Sequence, residues 1–83
     1  MGHLLSIDLG VRTGIALFHE SGKLLWYRSH NLGNAKKLRK AAALILRESY
    51  PVSVVVIEGG GPLLKIWTKL AVSKGISVIQ VNA

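Results

Sequence analysis

Cysteine is absent from the chain, which excludes disulfides and thiolate metal sites and leaves the redox compartment open. Acidic residues are nearly absent too: Asp8, Glu20, Glu48 and Glu58 are the four, against eleven Lys and Arg, for a net charge of +7. A balance this basic points to polyanionic partners, nucleic acid above all, with a surface charged for solubility as the plainer alternative. No apolar run approaches the roughly 20 residues of a membrane span, so no membrane partner is expected. Met1-Gly2-His3 leads straight into a strand-like run without the basic and apolar regions of a secretory leader, and a cytoplasmic protein is the expectation.

What is present suggests one small domain. At 83 residues the chain has room for a limited core, yet 49% of it is hydrophobic, which argues against disorder. That richness in a short chain implies apolar surface covered by a partner or by further sequence, and predicts a homodimer or other self-association.

The hydrophobic pattern predicts the order βββαβαβ. His3 to Asp8 reads as a short apolar strand stopped at Gly10, with Leu9 to Arg12 as the turn. Thr13 to His19 and Leu24 to Ser29 read as two more strands, joined by Glu20-Ser21-Gly22-Lys23 as a hairpin turn. Asn31 to Asn34 is a loop in which Asn34 suits a helix N-cap, and the helix runs from Ala35 to about Tyr50, before Pro51. Ala35, Leu38, Ala41, Ala42, Ile45 and Leu46 share its apolar face; Lys36, Lys40 and Arg47 share the other, flanked by Lys37 and Arg39. Val52 to Glu58 has no alternation, as expected of a strand buried on both faces. Gly59-Gly60-Gly61 follows. Pro62 then opens a second helix, with Leu63, Ile66, Trp67 and Leu70 inward, Lys65 and Lys69 outward, and Gly75 as its cap. Ile76 to Val81 closes the pattern as a fifth strand. Right-handed crossovers then give an α/β domain with a mixed five-stranded sheet of order 3-2-1-4-5 and helices packed on its faces.

With so few acids, their placement carries information. Asp8 and Glu58 close the first and fourth strands, which are adjacent and parallel in this topology, so both carboxylates emerge at one edge. Strands about 4.8 Å apart let two such side chains reach one cation. Hard oxygen ligands suit Mg²⁺ or Mn²⁺, and ligands gather at the carboxyl ends of open α/β strands. Arg12, in the adjoining turn, is placed to contact phosphate, to pair with Asp8 when no metal is bound, or simply to face solvent. Gly59 and Gly60, ahead of the helix that carries Lys65, either admit a nucleic-acid backbone or serve as a flexible joint; no Lys-Ser or Lys-Thr of a phosphate-binding loop follows. Lys36 and Lys40 offer general attraction for phosphates, on a face expected to lie away from the strand ends. Trp26, Tyr27 and Trp67 read as packing residues. His3, His19 and His30 lack ligand spacing, and Ser6 lacks partners for acyl transfer.

Ser6-Ile7-Asp8-Leu9-Gly10-Val11-Arg12-Thr13-Gly14-Ile15-Ala16 resembles the opening hairpin of the RuvC-type Holliday-junction resolvases, members of the ribonuclease H-like superfamily. Val55-Val56-Ile57-Glu58 resembles their fourth strand, which presents the second catalytic acid, and Gln80-Val81-Asn82-Ala83 their last strand and its exit. The resemblance implies a metal-dependent, structure-specific endonuclease acting on branched DNA in recombination and repair. It implies Asp8 bridging two Mg²⁺ or Mn²⁺ ions and Glu58 holding one of them. It also implies further acids on a helix after the fifth strand. No Asp or Glu follows Glu58 here, so the chain is expected to be an amino-terminal core that is inactive alone. Two alternatives stay open. One is a non-catalytic nucleic-acid-binding or assembly module of the same fold. The other is a fragment of an actin–hexokinase type ATPase, which also opens on a strand, an Asp-x-Gly turn and a hairpin.

Overall fold

The computed structural model describes residues 2–81; Asn82 and Ala83, the end of the last motif above, lie outside them. Seven elements follow in the expected order: β1 (His3–Asp8), β2 (Arg12–Phe18), β3 (Leu24–Asn31), α1 (Ala35–Glu48), β4 (Val52–Glu58), α2 (Pro62–Ser73) and β5 (Ser77–Val81). They form a single five-stranded sheet of order β3-β2-β1-β4-β5. β2 is antiparallel to β1 and β3, while β1, β4 and β5 are mutually parallel.

Local chemistry sets the helix limits. The Asn34 side chain accepts from the amides of Lys36 and Lys37 at 2.8 and 3.2 Å, satisfying two N–H groups that a helix start leaves free. α1 ends at Glu48, two residues before the expected limit at Tyr50. Ser49 closes it, with its hydroxyl on the Ile45 carbonyl at 2.6 Å. α2 begins on Pro62 and ends in a Schellman turn: Gly75, at φ 74°, donates to Val72 and Ile76 donates to Ala71. Ile76 is therefore spent on the cap and the core, and β5 starts one residue later than its apolar run suggests.

Both helices cover the same face of the sheet, which corrects the expectation of helices on its two faces. Leu5, Ile7, Ile15, Leu17, Val55 and Ile57 turn toward Leu38, Ala42, Ile45, Leu46, Trp67 and Ala71 and form one core with them. The alternate residues Leu4, Ser6, Ala16, Val54 and Val56 are only half-buried. β4 is thus buried on one face, not two. Its unbroken apolar run concealed an alternation that burial makes plain. At the rim, Arg28 lies 4.1 Å over the Trp26 ring and pairs with Glu48 at 2.7 Å, tying β3 to the end of α1.

Candidate metal and nucleic-acid site

Asp8 and Glu58 are direct register partners in the parallel β1–β4 ladder. Both are exposed and, by alternation from buried Ile7 and Ile57, both stand on the open face of the sheet. The strand ends are locked to each other just beyond them, where the Leu9 amide donates to the Glu58 carbonyl at 2.9 Å. Gln80 Nε2 donates to the Gly59 carbonyl at 3.0 Å and ties in β5. The ion pair found among the described residues uses Glu48, so neither Asp8 nor Glu58 is neutralised by a neighbouring base. Two unneutralised carboxylates side by side repel each other, an arrangement that favours a shared cation. The donor set fits a hard divalent ion. It is a two-residue set, because among the described residues no group of three His, Cys, Asp or Glu side chains comes together.

The turn between β1 and β2 is held by Thr13, which is fully buried and whose hydroxyl donates to the Gly10 carbonyl at 3.3 Å. Arg12 is not part of this turn. It opens β2, paired with Asn31, and its Nε donates to Ser29 Oγ at 3.1 Å, so of its possible partners Asp8 is not the one it takes. The glycine run also resolves. Gly59 has φ 125°, and a Cβ there would stand 2.8 Å from Leu9 Cβ. Its first requirement is therefore steric: it lets β1 and β4 close on each other beneath the carboxylates. Gly60 has no such constraint: a Cβ there would meet only Gln80 Nε2, at 3.8 Å.

The basic residues are exposed as expected, but one placement changes. β3 runs in the same direction as β1, so α1 starts at the carboxylate edge, and Gly33 packs against Val11 there. Lys36 and Lys37 consequently begin near that edge on the helix-covered side, while Lys40 and Arg47 recede from it. Lys65 lies in the groove between α2 and β5 with Leu64, Thr68, Val72 and Gln80. The carboxylates themselves are exposed at the surface. Tyr27 is not a packing residue: it is 63% exposed on the open face. Strand parity is the signal that finds it, since Tyr27 alternates with Ser29, which pairs with Gly14, which pairs with Asp8.

No family model and no curated protein matches the chain. Among solved structures it is similar to the resolvase of Fowlpox virus, determined in complex with substrate Holliday junction DNA. The TM-score is 0.72 at 18% sequence identity, over 96% of this chain and 60% of that one. The chain spans about 60% of the length of that resolvase. The two share the ribonuclease H-like fold, as the opening hairpin and fourth strand led us to expect. Among the described residues, no helix is long and apolar enough to cross a membrane.

Proposed function

We propose that the chain is the core of a metal-dependent, structure-specific endonuclease acting on branched DNA, with Asp8 and Glu58 as its metal-holding acids. The observation that carries this reading is their direct pairing on adjacent parallel strands, exposed on one face and unneutralised among the described residues. The shared fold with a resolvase and the net charge of +7 support it. Bound Mg²⁺ or Mn²⁺ would supply an activated water and charge stabilisation at the scissile phosphate. The chain's own part is to hold two carboxylates in fixed register and to attract the phosphate backbone with lysine and arginine.

Two carboxylates completed by water bind such an ion weakly, because Mg²⁺ dehydrates reluctantly and needs near-ideal octahedral geometry. By itself the 83-residue chain is therefore expected to cleave four-way junctions at no measurable rate. Cleavage by any longer protein that contains it should be abolished by Asp8→Asn or Glu58→Gln. On this chain the test is thermal melting with chelator and with Mn²⁺. In chelator both substitutions should raise Tm by a few degrees, since each removes a like-charge pair. Mn²⁺ should raise the Tm of the wild-type chain and leave both variants unmoved. If Asp8→Asn responds to Mn²⁺ as the wild type does, the metal site is wrong.

The open sheet face supports a second element of the proposal, self-association as a homodimer. Leu4, Phe18, Val54, Val56 and Ile79 lie on that face by strand alternation, and none of them is fully buried. Sedimentation at micromolar concentration should show a dimer that Ile79→Lys dissociates. A strictly monomeric wild type would count against it.

A further inference from the structure

Tyr27 presents an aromatic ring beside the carboxylates that the core does not use. It pairs with Ala16 on β2, and its ring runs along the open face until its hydroxyl stands 3.1 Å from the point where Gly14 would carry a Cβ. Gly14 is the residue directly opposite Asp8. A Cβ at Gly14 would press on the hydroxyl end of the ring, so the glycine leaves that end room over the residue opposite Asp8. Arg12 stands two residues before Gly14, on the same strand and the same face. Ser29 holds its Nε, and among the described residues its terminal nitrogens have no hydrogen-bond or ion-pair partner. A row therefore crosses the sheet edge: a guanidinium held by Ser29, the Tyr27 ring, then Asp8 and Glu58. From β3 to β4 it spans three strand gaps, about 14 Å, the length of roughly four stacked nucleotides.

We propose that Arg12 and Tyr27 form a subsite for the nucleic-acid strand that enters the carboxylate pair. The guanidinium takes a phosphate, and the tyrosine ring takes an unstacked base or sugar of a neighbouring nucleotide. The polarity of the row favours this occupant over a second copy of the chain: Arg12 and Ser29 flank the ring, whereas the apolar patch of the open face lies farther down the strands. A base unstacked at a branch point is what an exposed ring can stack on, and such stacking is indifferent to sequence. The inference rests on the nuclease reading of the same site and adds to it the part that recognises the strand.

The test is binding of a four-way DNA junction carrying 2-aminopurine at the branch point, in buffer containing Ca²⁺. Tyr27→Ala and Tyr27→Leu should each weaken binding at least about fivefold with an unchanged salt dependence, and Tyr27→Phe should bind as the wild type does. 2-Aminopurine fluorescence should rise where the base leaves the DNA stack without a ring to receive it, and should stay lower in the bound wild type and Tyr27→Phe than in bound Tyr27→Ala or Tyr27→Leu. Arg12→Gln should lower the slope of log K against log salt by about 0.9, one phosphate contact. Tyr27→Leu keeps apolar bulk on the face, so a loss seen in both variants is not a folding defect. If the wild type binds and both ring-less variants bind equally well, the subsite is wrong while the nuclease reading stands. If the wild type binds no junction at all, both fall. A Tyr27→Ala variant altered only in its oligomeric state would show that the ring serves a protein contact and would overturn the proposal.

Discussion

Trp67→Ala is expected to cost the chain a large part of its stability. Trp67 and Ala71 are the residues of α2 that are fully buried, while Leu63, Leu64, Ile66 and Leu70 remain half-exposed along the same helix. The indole is therefore the largest α2 side chain wholly inside the core, with Leu63, Leu64, Ile66 and Leu70 packed around its edge. Truncating a buried tryptophan to alanine costs about 3–5 kcal/mol. A domain of this length has a total stability of roughly 4–12 kcal/mol, and small domains lie toward the low end. Trp67→Phe should behave very differently. The indole Nε1 is buried and has no acceptor among the described residues, a liability of about 1–3 kcal/mol. Phenylalanine gives up some packing volume and removes that orphan donor, so the two changes offset. Urea titrations followed by far-ultraviolet circular dichroism separate the cases. A Trp67→Ala chain with a near-native midpoint would mean that α2 is held by something other than this ring.

Gly59→Ala should disable the carboxylate site from a position that carries no functional group. Alanine would have to adopt φ 125°, outside the range of an L side chain, with its Cβ 2.8 Å from Leu9 Cβ. Leu9 Cβ is fixed to the backbone and cannot swing away. Backbone strain of about 1–3 kcal/mol follows, together with a forced separation of β1 and β4 where the Leu9 amide meets the Glu58 carbonyl. A loss of this size lowers Tm by about 4–24 °C in a domain of this length, and the spread acids should no longer answer to Mn²⁺. Gly60→Ala is the control: it has no positive φ, and its nearest neighbour, Gln80 Nε2, is 3.8 Å away. It should melt and respond to metal like the wild type. Equal behaviour of the two alanine variants would remove the steric role assigned to Gly59.

The topology and the acid pair were legible in the sequence because each rests on strong local signals. Asn34, Pro62 and Gly75 mark helix limits by their backbone chemistry, and the crossover rule turns the element order into one sheet. Asp8 and Glu58 then meet because each ends a strand. Coverage of the sheet was not legible. Val54-Val55-Val56-Ile57 reads the same whether one face is buried or both, and only the common position of α1 and α2 decides it. Tyr27 followed from that error, since an aromatic residue on a doubly covered sheet would be core. The Leu9 to Arg12 stretch around Gly10 reads as a turn, yet the pairing of Arg12 with Asn31 extends both strands. The role of Gly59 required knowing that Leu9 lies against it, a contact between residues fifty positions apart.

In the monomer, a sheet roofed on one side already wets much of its apolar surface while folded. Leu4, Ala16, Val54 and Val56 keep part of their area in water, and Tyr27 and Ile79 keep more than half. Unfolding then exposes less new hydrocarbon than the hydrophobic content of the chain suggests. The heat-capacity increment, normally about 12–15 cal/mol/K per residue, scales with that new exposure and is correspondingly small here. Its smallness flattens the stability curve: the chain changes little in stability between cold and warm conditions, and it gives way over a broad span of temperature. Covering the open face would give the curve its usual height and curvature.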